Sequence, residues 1–99
     1  MSDIVRRLVV RGRVQRVGYR AFVEQMALEL GVEGWVRNRA DGSVEALVAG
    51  PAEVIKDMIE ACRQGPPAAR VDALDQGEGR SGDVALRRSG ELFSVLPTL

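Results

Sequence analysis

Two stretches of this chain carry apolar residues at helical spacing, and each lies between runs that favour strands. From about Tyr19 to Leu30 the apolar positions are Phe22, Val23, Met26, Ala27 and Leu30. They form one stripe of a helix, α1, with Gly31 as its stop. From Pro51 to Gln64 the stripe is Val54, Ile55, Met58, Ile59 and Cys62. This is α2, with Pro51 in its first turn and Gly65-Pro66-Pro67 ending it. Strands are expected at Ile4–Arg11 (β1), Glu33–Arg39 (β2), Ser43–Ala49 (β3), Arg70–Leu74 (β4) and Leu92–Leu96 (β5), from their apolar and β-branched runs. Ala40-Asp41-Gly42 is a hairpin signal between β2 and β3. Gln76 to Gly90 reads as a long loop with a candidate short strand at Val84-Ala85-Leu86. The order β-α-β-β-α-β plus one strand predicts an α+β fold, with two helices on one face of an antiparallel sheet.

Ninety-nine residues suffice for one domain, expected over 1–99, with a core that needs no staples. The composition narrows the chemistry sharply. There is no histidine and only one cysteine, Cys62. Ser-His and Cys-His nucleophile pairs, disulfides and most zinc sites are therefore excluded. Cys62 lies on the apolar stripe of α2 and reads as a small buried hydrophobe. No apolar run approaches the roughly 20 residues of a membrane span. The N-terminus shows no signal-peptide pattern, so the cytoplasm is the expected compartment.

The net charge is zero but unevenly placed. Residues 1–39 hold eight arginines against four acids, and residues 40–99 hold six basic residues against ten acids. The first part is thus +4 and the second −4. Four arginines lie in or beside Gly12-Arg13-Val14-Gln15-Arg16-Val17-Gly18-Tyr19-Arg20, the loop that joins β1 to α1. A glycine loop opening a helix presents unpaired N–H groups, and a local positive potential attracts a small anion. It is not a nucleotide P-loop, which needs a lysine and a hydroxyl residue after its last glycine. It also lacks the G-x-G-x-x-G spacing.

The β1–α1–β2 crossover is expected to be right-handed, with β1 and β2 parallel. Their C-terminal ends then share one sheet edge. That places Asn38, near the end of β2, beside the glycine loop and Arg20. The candidate site is an N–H cradle over Gln15, Arg16, Val17, Gly18, Tyr19 and Arg20, with the Arg20 guanidinium and the Asn38 amide. The planar fork of Arg20 can hold two oxygens of an anion, and the Asn38 amide sets no charge against it.

These residues resemble the acylphosphatase family. Gly12 to Arg20 is similar to its first signature, Gly-x-Val-Gln-Gly-Val-Gly-Phe-Arg. Gly34-Trp35-Val36-Arg37-Asn38, with Asp41-Gly42 and Val44-Glu45 after it, is similar to its second. The resemblance runs from about residue 4 to residue 96. It implies a ferredoxin-like βαββαβ sandwich that hydrolyses the carboxyl–phosphate bond of acyl phosphates. It places phosphate binding on Arg20 and the loop amides, and the attacking water on Asn38.

Three departures stand out. Arg16 replaces the usual loop glycine, so a negative φ is expected there. Tyr19 replaces Phe, and the C-terminus lacks an Arg-Tyr-type ending. No cofactor or metal is expected, and Asp41 and Glu45 read as turn and hairpin residues. Arg6, Arg7, Arg11 and Arg13 read as solvated. The expected partner is a small-molecule acyl phosphate, with inorganic phosphate as product and competitor. Neither nucleic acid nor a membrane is expected, and the expected form is a monomer. The alternative is a non-catalytic ferredoxin-like module for RNA or acyl phosphate. RNA-recognition domains stack bases on strand aromatics, and β1 and β3 contain none.

Overall fold

The computed structural model describes residues 3–99. Its elements are β1 (Asp3–Arg13), α1 (Tyr19–Leu30), β2 (Glu33–Asn38), β3 (Val44–Pro51), α2 (Ala52–Gln64), β4 (Arg70–Glu78), a 3-10 helix (Ser81–Leu86) and β5 (Phe93–Val95). The strands form one sheet in the order β4-β1-β3-β2-β5. Both β1 and β2 pair antiparallel with the central β3, so they run parallel to each other as expected. This is the ferredoxin-like α+β arrangement.

The core lies between the sheet and the two helices. α1 buries Tyr19, Val23 and Ala27, and α2 buries Ile55, Met58, Ile59 and Cys62. They meet Leu8 and Val10 of β1, Val36 of β2, Val44 and Val48 of β3, and Phe93 of β5. The helical stripes and the alternation of the strands place these residues on facing surfaces. Pro51 falls at the end of β3 and caps α2 instead of opening it.

Three expectations need correction. The sheet is mixed, because β5 pairs parallel with β2, from Gly34 opposite Phe93 to Val36 opposite Val95. The chain reaches that edge after crossing the sheet from β4, and it arrives in the direction of β2. The strand β4 runs four residues further than its apolar pattern suggested. An edge strand with mostly exposed side chains needs no apolar alternation, and backbone pairing of Gln76 to Glu78 with Leu8 to Arg6 fixes it. Residues Ser81–Leu86 form a 3-10 helix, not a loop with a strand. Its first turn is closed by the Asp83 N–H donating to the Arg80 carbonyl at 2.9 Å, and by the Arg80 N–H donating to Asp83 Oδ2 at 3.4 Å.

This crossing covers the outer face of the sheet, the one turned away from the helices. Gly79 makes the passage possible: a Cβ there would fall 2.7 Å from Val5 Cγ1 and 2.8 Å from Leu47 Cδ1. Trp35 donates its indole N–H to the Asp83 carbonyl at 2.9 Å, which ties the 3-10 helix down. On the same face, Glu45 is only 3 % exposed and is held by Arg7 and by Arg37 Nε at 2.8 Å. The Arg37 guanidinium lies 4.6 Å over the Trp35 ring, a cation–π contact. Arg7 is therefore a half-buried ion-pair partner, not the solvated residue expected. Trp35, the strand aromatic on this face, is thus taken up by contacts within the protein.

Candidate active site

The loop between β1 and α1 is anchored at both ends and open in the middle. Val14 is buried in the core, and Val17 packs against its edge. Gln15 sends its side-chain amide across to the β2–β3 hairpin. Its Nε2 donates to the Arg39 and Ser43 carbonyls, both at 2.9 Å. The hairpin itself is braced by Asp41, whose Oδ1 accepts from the Ser43 N–H at 2.9 Å and the Ser43 hydroxyl at 2.6 Å. Those Ser43 bonds pull the Asp41 pKa down to about 2. Asp41 is thus a turn residue, as expected. The Gln15 clamp was not foreseen: the motif counted this residue only as a backbone donor.

Arg16 adopts φ +63°, the one positive φ on a non-glycine residue among those described. This corrects the expectation of a negative φ. The loop keeps the left-handed turn that a glycine would give, and the arginine side chain is accommodated on it. The Cβ contacts of that conformation cost about 1–2 kcal/mol. Gly18 follows at φ +80° as the residue capping α1. Left-handed residues at 16 and 18 are the kind of backbone turn from which anion nests are built. The first helical bond is from the Phe22 N–H to the Gly18 carbonyl, at 3.1 Å. Among the described residues, the N–H groups of Gln15 to Arg20 have no acceptor.

Two arginines belong to this loop and the first turn of α1. Arg16 and Arg20 border one cleft of about 260 Å³, together with Val14, Tyr19, Glu24 and Val95. Neither arginine forms an ion pair among the described residues, although six ion pairs form elsewhere. Tyr19 contributes a wall and an N–H group, but its hydroxyl is committed. It donates to the Cys62 carbonyl at 2.6 Å, inside the core. Burial, with the neighbouring Cys62, pushes its pKa far above the usual phenol range. Cys62 is buried, and burial pushes its thiol up to about 12. It is no nucleophile at neutral pH.

Asn38 ends β2, with its side chain on the helix-facing side that Val36 also occupies. It is 9 % exposed, and its Oδ1 is buried without a hydrogen-bond partner among the described residues. A buried carbonyl without a donor costs about 1–3 kcal/mol, so this acceptor is conspicuous. Its own main chain is fixed by pairing with Val44 and by the Leu99 N–H, which donates to its carbonyl at 3.1 Å. Asn38 does not border the cleft of Arg16 and Arg20. It is joined to the loop through Gln15, which bonds the carbonyl of the next residue, Arg39. No cluster of three histidine, cysteine or acidic side chains that could hold a metal occurs among the described residues.

A two-layer α+β domain with unpaired loop amides and two arginines outside any ion pair among the described residues has the features of a small oxyanion-binding domain. The family model for acylphosphatase matches residues 6–84. The acylphosphatase of Rhodopseudomonas palustris (strain BisB18) is 62 % identical over the full length of both chains. The crystal structure of acylphosphatase from Bacillus subtilis superposes with a TM-score of 0.81 at 37 % identity, covering 94 % of this chain and 98 % of that one. Full-length HypF, in its phosphate- and nucleotide-bound form, shares the fold. Its TM-score is 0.81 at 22 % identity, over 98 % of this chain and 12 % of that one. The chain belongs to the acylphosphatase family, and it is a hydrolase acting on acyl phosphates. No helix among the described residues is long and apolar enough to cross a membrane.

Proposed function

We propose that the nest of Gln15 to Arg20 and the Arg20 guanidinium hold the phosphoryl group, while Asn38 Oδ1 positions the attacking water. The observation that carries this reading is the buried, unpartnered Oδ1 of Asn38. It is an acceptor that waits for a donor, on the residue that ends the strand parallel to β1. Water supplies such a donor. The amide does so without the charge repulsion an aspartate would set against phosphate.

The reaction needs few groups. Water oxygen attacks phosphorus as the bond from phosphorus to the acyl oxygen breaks. The acyl oxygen leaves with the electron pair as a carboxylate. Carboxylic acids have a pKa of about 4, so this leaving group takes no proton at neutral pH. The proton of the water passes to a phosphoryl oxygen. The transition state is loose, and its charge lies on the phosphoryl oxygens, where the nest and the Arg20 fork meet it. No step calls on a histidine, a thiol or a metal ion. Chelator should therefore leave hydrolysis intact, and inorganic phosphate should compete with substrate for the nest.

Hydrolysis of benzoyl phosphate by Arg20→Ala and Asn38→Ala tests the assignment. Each variant should keep its fold, shown by circular dichroism, and lose most of its turnover. Near-normal turnover by either would overturn its role.

A further inference from the structure

Arg16 is not explained by holding phosphate. The nest uses its N–H group, which any residue would provide, and its left-handed φ of +63° favours glycine over every side chain. The side chain gains nothing visible in return. It is exposed, and it makes no hydrogen bond or ion pair among the described residues. Yet it stands on the rim of the cleft that Arg20 also borders. One planar fork and the nest suffice for the phosphoryl oxygens. An exposed arginine on this lining is placed where it could reach the acyl part of a substrate held by the loop.

We infer that Arg16 is a specificity-determining residue that selects acyl phosphates whose acyl group carries its own carboxylate. The inference rests on the phosphate site proposed above. The cleft wall supports it by contrast. Val14, Tyr19 and Val95 offer apolar or committed surface, and Glu24 is the one carboxylate on the lining. A neutral acyl group would find no use for a second guanidinium there. An anionic one would form a charge-assisted hydrogen bond with it, and Glu24 would be set against a wrongly placed negative end.

The test compares kcat/KM for succinyl phosphate and acetyl phosphate in the wild type, Arg16→Gly and Arg16→Lys. Glycine keeps both the left-handed turn and the N–H group, so the nest survives the change. The wild type should prefer succinyl phosphate, and Arg16→Gly should lower that preference about threefold to fivefold. Arg16→Lys should retain part of it, since lysine keeps the charge without the fork. An unchanged ratio in Arg16→Gly would overturn the inference, even if both activities fell together. Asn38→Ala is run beside them to separate the two levels. A wild type that hydrolyses acetyl phosphate through Asn38 but shows no change of ratio refutes only the role of Arg16. Normal turnover by Asn38→Ala refutes the site on which it rests.

Discussion

On the outer face of the sheet, Glu45 is held from both sides by Arg7 and Arg37, and Trp35 is bonded to the 3-10 helix that covers it. At the C-terminal ends of β1 and β2, the same kinds of group stand apart. Arg16 and Arg20 form no ion pair among the described residues, six N–H groups of the loop have no acceptor, and Asn38 Oδ1 is buried alone. The two regions lie in one small domain and draw on the same side-chain chemistry. Buried polar groups that are paired hold the sheet and its cover together. A buried acceptor left unpaired, as Asn38 Oδ1 is among the described residues, costs free energy that a hydrogen-bond donor would recover. On the site proposed above, what separates structure from function is commitment to partners inside the fold.

The sharpest way to break that contrast is to exchange the expected effects. Arg20→Ala should lower kcat/KM for benzoyl phosphate by about 10³-fold, the scale of a lost transition-state charge contact. Its denaturant midpoint should hardly move, because Arg20 has no partner among the described residues to lose. Glu45→Gln should do the reverse. It leaves Arg7 and Arg37 facing an uncharged amide and should cost about 2 kcal/mol in urea unfolding. This lies below the 3–5 kcal/mol of a fully buried broken pair, because Arg7 is 43 % exposed. Comparable turnover losses in both variants would erase the distinction.

A smaller effect comes from pH. Burial opposes ionisation of Glu45, but the hydrogen bonds and charges of Arg37 and Arg7 outweigh it and hold its pKa below the usual range. A depressed pKa adds stability above the unfolded value, and that stability is lost as pH falls through the folded value. The urea midpoint of the wild type should therefore drop as pH falls below about 4, and Glu45→Gln should flatten that limb. Cys62 acts at the other end. Its neutral form is favoured by burial, so its contribution is complete below the ordinary thiol pKa and is lost as pH rises toward about 12. The smallest expected change is in Arg16→Gly. Relief of the left-handed strain should raise stability by about 1 kcal/mol, and a lowered urea midpoint would show that the arginine has contacts in the fold.

Much of this was legible in the sequence, and the exceptions share a cause. The two helical stripes, the β2–β3 hairpin and the parallel placement of β1 and β2 follow from periodicity and chirality, which are local or nearly so. The polar end of β4 was not legible, because Asp75 to Glu78 have no apolar pattern and are held by backbone pairing alone. The 3-10 helix was hidden among glycines and charges, and its position depends on Trp35, far away in the chain. At the site, motif and topology pointed to Arg20, Asn38 and the loop amides as candidates. They did not reveal the clamp of Gln15 onto Arg39 and Ser43, since a motif records which residue is present and not where its amide reaches. Nor did they give the φ of Arg16. The turn is imposed by the loop as a whole, and it overrides the preference of the residue.

The most direct measurement is made on Asn38→Ala, with kcat for benzoyl phosphate and the urea midpoint taken on the same preparation. Its Oδ1 has no donor among the described residues, so removing it takes away no visible bond. Turnover should fall by at least about 10²-fold, while the midpoint stays close to that of the wild type. A variant that unfolds more easily yet turns over at the normal rate would show Asn38 to be a structural residue and would contradict the assignment of the water site.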